Sequence, residues 1–216
     1  MKPNEIKIYN KRDVFADKML KKYAKNISNK VVSDIGAGFG LMREPIESKG
    51  FVWQPFDYVR KIPEATMWDL TNPAPKNAKK ATGVVLLEVI EHAGNPAKAI
   101  ENIAQHMESG GVLILTTPNP QSSKNTINLF LKGSLYSFQP KHLEEHHVFT
   151  PWEHIVQFFL QNNGFEIKEY AIIDVEYQSR KATNIKDFLK KQLERFLERR
   201  NPKAKGMSYG LVAVKV

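Results

Sequence analysis

The 216-residue sequence contains no cysteine. That excludes disulfide bridges, thiolate metal sites and a cysteine nucleophile, and it fits a reducing compartment, so a cytoplasmic location is expected. No apolar run approaches the ~18 residues a membrane span needs. The opening stretch "MKPNEIKIYNKRD" is polar and charged, so it does not read as a secretory signal. No repeat at solenoid or propeller spacing is present. A basic middle is missing too. The net charge is +9, yet residues 1–30 carry +6, residues 178–206 carry +7 and residues 31–177 carry −5. Cations confined to two flanks disfavour nucleic acid as the partner, which needs a basic surface at the site itself.

What is present is an ordinary globular chain, with enough residues for a single domain, 1–216, and room for insertions. Helical spacing of apolar residues runs through 13–27, and "KVVSDI" reads as a short buried strand before a glycine turn. "LMREPIESKG" reads as a helix closed by Gly50, "FVWQPFDYV" as a strand ending at Asp57, and "EATMWDLT" as a short strand ending at Asp69. "GVVLLEVIEH" and "VLILTTPNP" suit central strands buried on both faces. Between them "NPAKAIENIAQHMESGG" predicts a helix capped by Asn95 and ended by Gly110–Gly111. Residues 118–150 are polar with aromatics and read as a lid insertion. Thr150, Pro151 and Glu153 have capping-box spacing for a helix running to Gly164. Two strands follow, "FEIKEYAIIDVEY" and "YGLVAVKV", with a helix at 184–200 between them. The alternation predicts an α/β fold, a mostly parallel doubly wound sheet with helices on both faces. Ligands bind such sheets beyond the carboxyl ends of the strands.

The first of those ends is "VVSDIGAGFG", residues 31–40. No lysine follows Gly40, so a P-loop is excluded, and the glycines stand as G-x-G-x-G, not as the dinucleotide G-x-G-x-x-G. Asp57 lies seventeen residues after Gly40, about where an acid grips a ribose diol in nucleoside-binding α/β folds. In order along the chain, "SDIGAGFG", Asp57, "WDL", "LLEVIEH" and "GGVLILTTPN" resemble the landmark motifs of class I S-adenosylmethionine-dependent methyltransferases. "EVIEH", "TPN" and "FTP" resemble the branch holding the ubiquinone-biosynthesis and small-molecule or sugar O-methyltransferases. The resemblance covers about residues 30–173. Its short 58–82 segment and basic 178–206 insertion depart from that branch.

The resemblance implies a Rossmann-like sheet with an antiparallel last strand and S-adenosylmethionine as cofactor. Asp34, Gly36 and Gly38 would shape the methionine end, Asp57 the ribose, and Asp69 and Leu70 the adenine, with Ala37 and Tyr58 also in the cofactor site. Glu88 would line the floor under the sulfonium, and His92 would open the next helix. An acidic, glycine-lined cleft suits a cationic cofactor better than a basic one. The N-methyltransferase signature [DN]-P-P-[YF] is absent after "GVVLL", where "EVIE" stands instead, so an oxygen acceptor is expected.

Histidine is the natural base near neutral pH. "KHLEEHHVFTP" offers His142, His146 and His147, each of which could be the base or a solvated or capping histidine. His142 and His146 stand four apart and, with Glu145, could share a metal, but no further ligands are evident and no metal is assigned. In 184–200 apolar residues share one face and basic residues the other. Such a helix can contact an anionic membrane or a lipid-linked or phosphorylated acceptor, or pack on its own domain or a twin subunit in a homodimer. The expected function is O-methylation of a small-molecule or glycan hydroxyl. The alternatives are RNA methylation through the basic flanks and a non-catalytic cofactor-binding partner subunit.

Overall fold

The structure is a computed structural model and describes residues 6–23, 30–144, 146–175 and 182–216. A short strand that the sequence did not signal, β1 (Lys7–Tyr9), precedes helix α1 (Arg12–Tyr23). Phe15, Ala16, Met19 and Leu20 form the buried stripe of α1 at three-four spacing. The remainder of the predicted 13–27 helix lies outside the described residues. Strand β2 (Val31–Ile35), helix α2 (Arg43–Glu47), strand β3 (Val52–Asp57) and strand β4 (Thr66–Met67) follow. Strand β5 (Ala81–Leu87) runs into a 3-10 turn, Ile90–His92, and then helix α3 (Pro96–His106). Strand β6 (Met107–Pro118), helix α4 (Ser123–Lys132), helix α5 (Glu153–Asn162) and strand β7 (Phe165–Ile173) come next. Helix α6 (Ile185–Arg200) and strand β8 (Ser208–Lys215) complete the chain.

The eight strands form one sheet in the order β1-β7-β8-β6-β5-β2-β3-β4. Every pairing is parallel except those of β8, which runs against β6 and β7. The chain leaves β2 towards β3 and β4 and returns through β5, so the order reverses between β2 and β5. Such a switch point leaves a crevice at the carboxyl ends of the two strands. Both faces are covered. Val112 and Ile114 pack with Phe15, Leu20 and Ile46 of α1 and α2. Leu113 and Leu115, one residue out of phase, pack with Ile100, Ile103, Val156 and Leu160 of α3 and α5.

Several element ends differ from the sequence expectations. α3 stops at His106, ahead of Gly110–Gly111, and Met107 turns straight into β6 beside Ala81. The buried His106 ring pins that end: its Nε2 lies 2.9 Å from Ser33 Oγ and its ring packs edge-on against Phe56 and Trp68. α5 starts at Glu153, with Trp152 at the cap and no side-chain capping bond. Thr150 contributes only its carbonyl, 2.9 Å from Trp152 N. Glu153 turns to Lys203, whose Nζ lies 2.7 Å from both carboxylate oxygens. A partly buried ion pair therefore displaces the capping box. The expected lid contains a helix, α4, capped by Ser122 and closed by Gly133 at φ +70°. β4 is only two residues long and ends before Asp69.

Candidate functional site

The glycine turn leaves β2 with Gly36 at φ +76°, Gly38 at +56° and Gly40 at +80°. These are left-handed conformations that cost other residues about 1 kcal/mol or more. At Gly36 a side chain would also collide with Val89. Gly36 N and Ala37 N both donate to Phe56 O, at 2.8 and 3.0 Å. Gly38 N donates to Asp57 Oδ2 at 2.8 Å. The acid closing β3 is thereby tied to the bare turn after β2, nineteen positions back along the chain. Asp57 Oδ1, 3.4 Å from Val59 N, retains acceptor capacity towards the cleft. Tyr58 beside it is exposed. Asp34 is buried and accepts from Trp53 Nε1 at 3.0 Å, which joins the end of β2 to β3. Burial pushes its carboxyl up to about 6.

Asp69 and Leu70 lie past β4. Asp69 accepts from Thr71 N at 2.9 Å and Thr71 Oγ1 at 2.8 Å, which fixes a tight turn. Leu70 is buried in the core, and its carbonyl accepts from Asn102 Nδ2 at 2.8 Å. Met67, at the end of β4, is 58% exposed and faces no core. A bare turn, an acid at the neighbouring strand end and exposed Tyr58 and Met67 fit a nucleoside-type cofactor.

β5 ends in strain. Glu88 has φ +54°, a conformation that persists only where its surroundings enforce it. One oxygen, Oε2, accepts from Ser208 Oγ at 3.2 Å and lies 3.5 Å from the Arg12 guanidinium. The other, Oε1, is buried without a hydrogen-bond partner among the described residues. Burial pushes Glu88 up to about 7 against the pull of Arg12. Glu91, one 3-10 turn on, is 1% exposed and accepts from Thr117 Oγ1 at 2.9 Å. Burial, and then the neighbouring Glu88 charge, raise it well above an ordinary glutamate. Two acids of one sign, both desolvated, hold protons more tightly than either would alone.

Beside Glu88 opens a cavity of about 230 Å³, lined by Glu88, Pro118, Tyr136, Ser137, His142, His147, Met207 and Ser208. The structure separates the three candidate histidines. His146 is exposed at φ +57° and is not among the residues that line this cavity. His142 and His147 line it, with rings stacked at 5.7 Å. His142 Nδ1 accepts from Gln139 N at 3.1 Å, so its proton sits on Nε2. His147 Nδ1 lies 3.1 Å from the Ser137 carbonyl, which can only accept, so the neutral ring carries its proton on Nδ1 and presents Nε2 as an acceptor. The backbone amides of Val148 and Phe149 donate to Glu91 O at 3.1 and 3.0 Å, docking this segment onto the turn after β5.

Glu145 lies outside the described residues. Among the described residues the donor set able to hold a metal is instead Glu91, His92 and His147, with one ligand atom each, all within 4.8 Å of one another. His92 does not open the next helix, as the resemblance implied: it ends the 3-10 turn, α3 starts at Pro96 under the Asn95 cap, and the His92 ring packs edge-on to His147 at 4.8 Å. Sequence reasoning missed Arg12, Glu91 and Ser208, whereas Tyr136 is one of the aromatics of the insertion, with Phe130 and Phe138, that could line an acceptor pocket or pack in the core. Of the three missed, only Glu91 carried a signal, as the second acid of "EVIEH"; Arg12 and Ser208 come from distant segments that the sheet brings together.

Residues 9–170 match a family model described as a methyltransferase domain. A ubiquinone biosynthesis O-methyltransferase from Rickettsia canadensis is 28% identical over 156 residues, 67% of this chain and 66% of the relative. The Rickettsia typhi protein of the same name is 27% identical over 162 residues, 69% and 65% respectively. The chain therefore spans slightly less than two thirds of the length of these curated relatives. Among solved structures, an S-adenosylmethionine-dependent methyltransferase from Archaeoglobus fulgidus superposes with a TM-score of 0.64, covering 94% of both chains at 17% identity. The glycine turn tied to Asp57, the crevice at the strand switch and the match over most of its length agree: this chain belongs to the methyltransferase-domain family of class I S-adenosylmethionine-dependent methyltransferases.

Proposed function

We propose that this methyltransferase acts on a hydroxyl oxygen of a small-molecule, glycan or lipid-linked acceptor, with His147 as the base. The observation that carries this reading is the tautomer pair at the cavity. His147 presents an accepting Nε2 and His142 a donating one, so a hydroxyl there can lose its proton to the first while its oxygen is oriented by the second. The names of the Rickettsia relatives support oxygen as the acceptor atom. When bound, the cofactor supplies an electrophilic methyl group on a sulfonium. Gly36, Ala37 and Gly38 leave the room it needs, Asp57 takes the ribose hydroxyls, and Tyr58, Asp69 and Leu70 border the adenine. Asp34 braces the turn through Trp53. Glu88 lies between the two halves of the site, where its carboxylate meets positive charge. We read residues 118–150 as a lid, the chain as one catalytic domain, and the cytoplasm as its location.

Glu91, His92 and His147 support a second reading of the same reaction, in which a divalent cation held by these donors activates the hydroxyl. The test is calorimetry with S-adenosylhomocysteine, followed by mass spectrometry of a panel of catechols, sugars and amines incubated with S-adenosylmethionine, with and without a chelator. Binding with methyl gain on hydroxyl compounds, unaffected by the chelator, is expected. Methyl gain on amines alone sinks the oxygen assignment. Loss of turnover with the chelator, restored by a divalent cation, replaces the base by the metal.

A further inference from the structure

Helices α4 and α6 contact each other and are both built inside out. The buried side of α4 is largely polar: Ser123, Asn125 and Asn128. Ser123 Oγ donates to Glu198 of α6 at 2.8 Å, and Asn125 Nδ2 donates to Asn119 O at 2.7 Å. Of its apolar residues only Ile127 is buried; Leu129, Phe130 and Leu131 are exposed, Phe130 at 85%. α6 repeats the inversion over four turns. Asp187, Lys191, Glu194 and Glu198, spaced i, i+4, i+7, i+11, are the side turned towards the protein. Ile185, Phe188, Leu189, Leu193 and Phe196 lie on the opposite side, and all are exposed. Of the apolar residues of this helix only Leu197 is half-buried, so the alternative in which the apolar face packs on its own domain does not hold for the other five. At the inner face Glu198 accepts the hydrogen bond from Ser123, and Lys191 pairs with Asp187 one turn back at 3.9 Å.

Charge decides what covers the outer face. All three acids of α6 are on the inward side, whereas Lys186, Lys190, Arg195, Arg199 and Arg200 are exposed. At about 100° per residue these cations flank the apolar stripe on both sides. A second copy packed face to face would set five cations against five. A lipid surface with anionic headgroups satisfies both features, taking the apolar side chains into the interface and the cations at headgroup level. The face also adjoins the site. Lys124 of α4 lies 3.5 Å from the ring centroid of Tyr136, which lines the cavity. The Tyr136 phenol is held below its usual range by Lys124 first, then by Lys141 and by Lys190 of α6.

We propose that the outer faces of α4 and α6 form one docking surface for a bilayer containing anionic lipid, with the rim of the acceptor cavity beside it. This goes beyond the methyl-transfer reading and does not require it. The test is co-sedimentation of the full chain with vesicles of phosphatidylcholine alone or of phosphatidylcholine with phosphatidylglycerol, at low and high salt. Sedimentation with the anionic vesicles only, weakened by salt, is expected. Phe130→Ser combined with Leu189→Ser should reduce it about a hundredfold, near tenfold for each large apolar side chain withdrawn. Arg195→Glu combined with Arg199→Glu should reduce it and leave the residual binding less sensitive to salt than that of the unaltered chain. All four side chains are exposed, so melting temperature and S-adenosylhomocysteine binding should stay unchanged, which separates failure here from failure of the cofactor site. No binding at low salt, or equal binding to neutral vesicles, overturns the proposal. So does a dimer, seen by sedimentation equilibrium, that Phe130→Ser with Leu189→Ser dissolves, because the face would then belong to a second copy.

Discussion

On the β2–β3 side of the crevice the surface is largely backbone: three glycines at positive φ, with Gly38 N bonded to the Asp57 carboxylate. On the β5–β6–β8 side, what faces the cavity is side chain, drawn from residues 88, 118, 136–147 and 207–208. The first surface is a shape that one class of molecule fits, and substitutions there act by steric exclusion. The second is an arrangement of donors and acceptors, and substitutions there act on the chemistry. The sharpest way to break this distinction is His147→Ala. If side chains do the chemistry, kcat falls by about 10³, within the 10²–10⁴ that a positioned general base contributes, with cofactor affinity unchanged. His142→Ala, which removes only a donor, should cost about tenfold. Single-turnover rates for both variants check this, and a larger loss for His142→Ala would reverse the roles drawn from the two tautomers.

The converse belongs to the backbone side. Asp57→Ala removes the partner of Gly38 N and the acceptor we propose for the ribose, and a hydrogen bond to a charged group is worth about 1.5–3 kcal/mol. A loss of S-adenosylhomocysteine affinity of about a hundredfold is expected by calorimetry, with acceptor affinity unaltered. Gly36→Ala comes next. It combines a strained φ with a collision against Val89, and we expect about 2 kcal/mol of destabilisation in chemical denaturation. Adding Val89→Ala should recover the steric part but not the φ part. Full recovery would show that conformation at Gly36 costs little and that the turn is not a backbone-determined shape.

The same distinction explains what the sequence made legible. Strand positions, the glycine turn and Asp57 follow from local signals, because a buried strand and a left-handed turn each restrict residue choice at consecutive positions. Helix ends were less legible. α3 stops early because His106 finds Ser33 across the sheet, and α5 loses its capping box because Glu153 finds Lys203 fifty residues on. β1 is three residues long and gains its place only from pairing with β7. The cavity was legible only in part. "KHLEEHHVFTP" supplies His142 and His147 to the cavity lining, but nothing local distinguishes His147 from His146. That choice depends on Ser137 O and on the left-handed turn at 146. Arg12 and Ser208 reach Glu88 from the two ends of the chain, a juxtaposition that only the strand order creates.

The smallest expected effect tests whether the two sides meet at Glu88. Its carboxyl is raised from 4.5 to about 7 by burial, so the folded state holds a proton that the unfolded chain releases near pH 4.5. The associated stability is fully present below that lower value and is lost as pH rises through about 7. Asp34, raised to about 6, adds a loss that is complete at lower pH. The melting temperature should therefore fall between about pH 5 and 8, a range in which many proteins are at their most stable. Glu88→Gln keeps the shape and cannot ionise, so it should flatten the part of the curve near pH 7 and leave the Asp34 part near pH 6. Glu91 takes over some of the proton uptake, because removing the Glu88 charge eases its own ionisation. The difference between the two curves should then be on the order of 1 kcal/mol, or about 2–4 °C in a chain of this size. Parallel curves would mean that Glu88 ionises like an exposed acid, and the carboxylate at the meeting point of cofactor cleft and acceptor cavity would be hydrated, not buried.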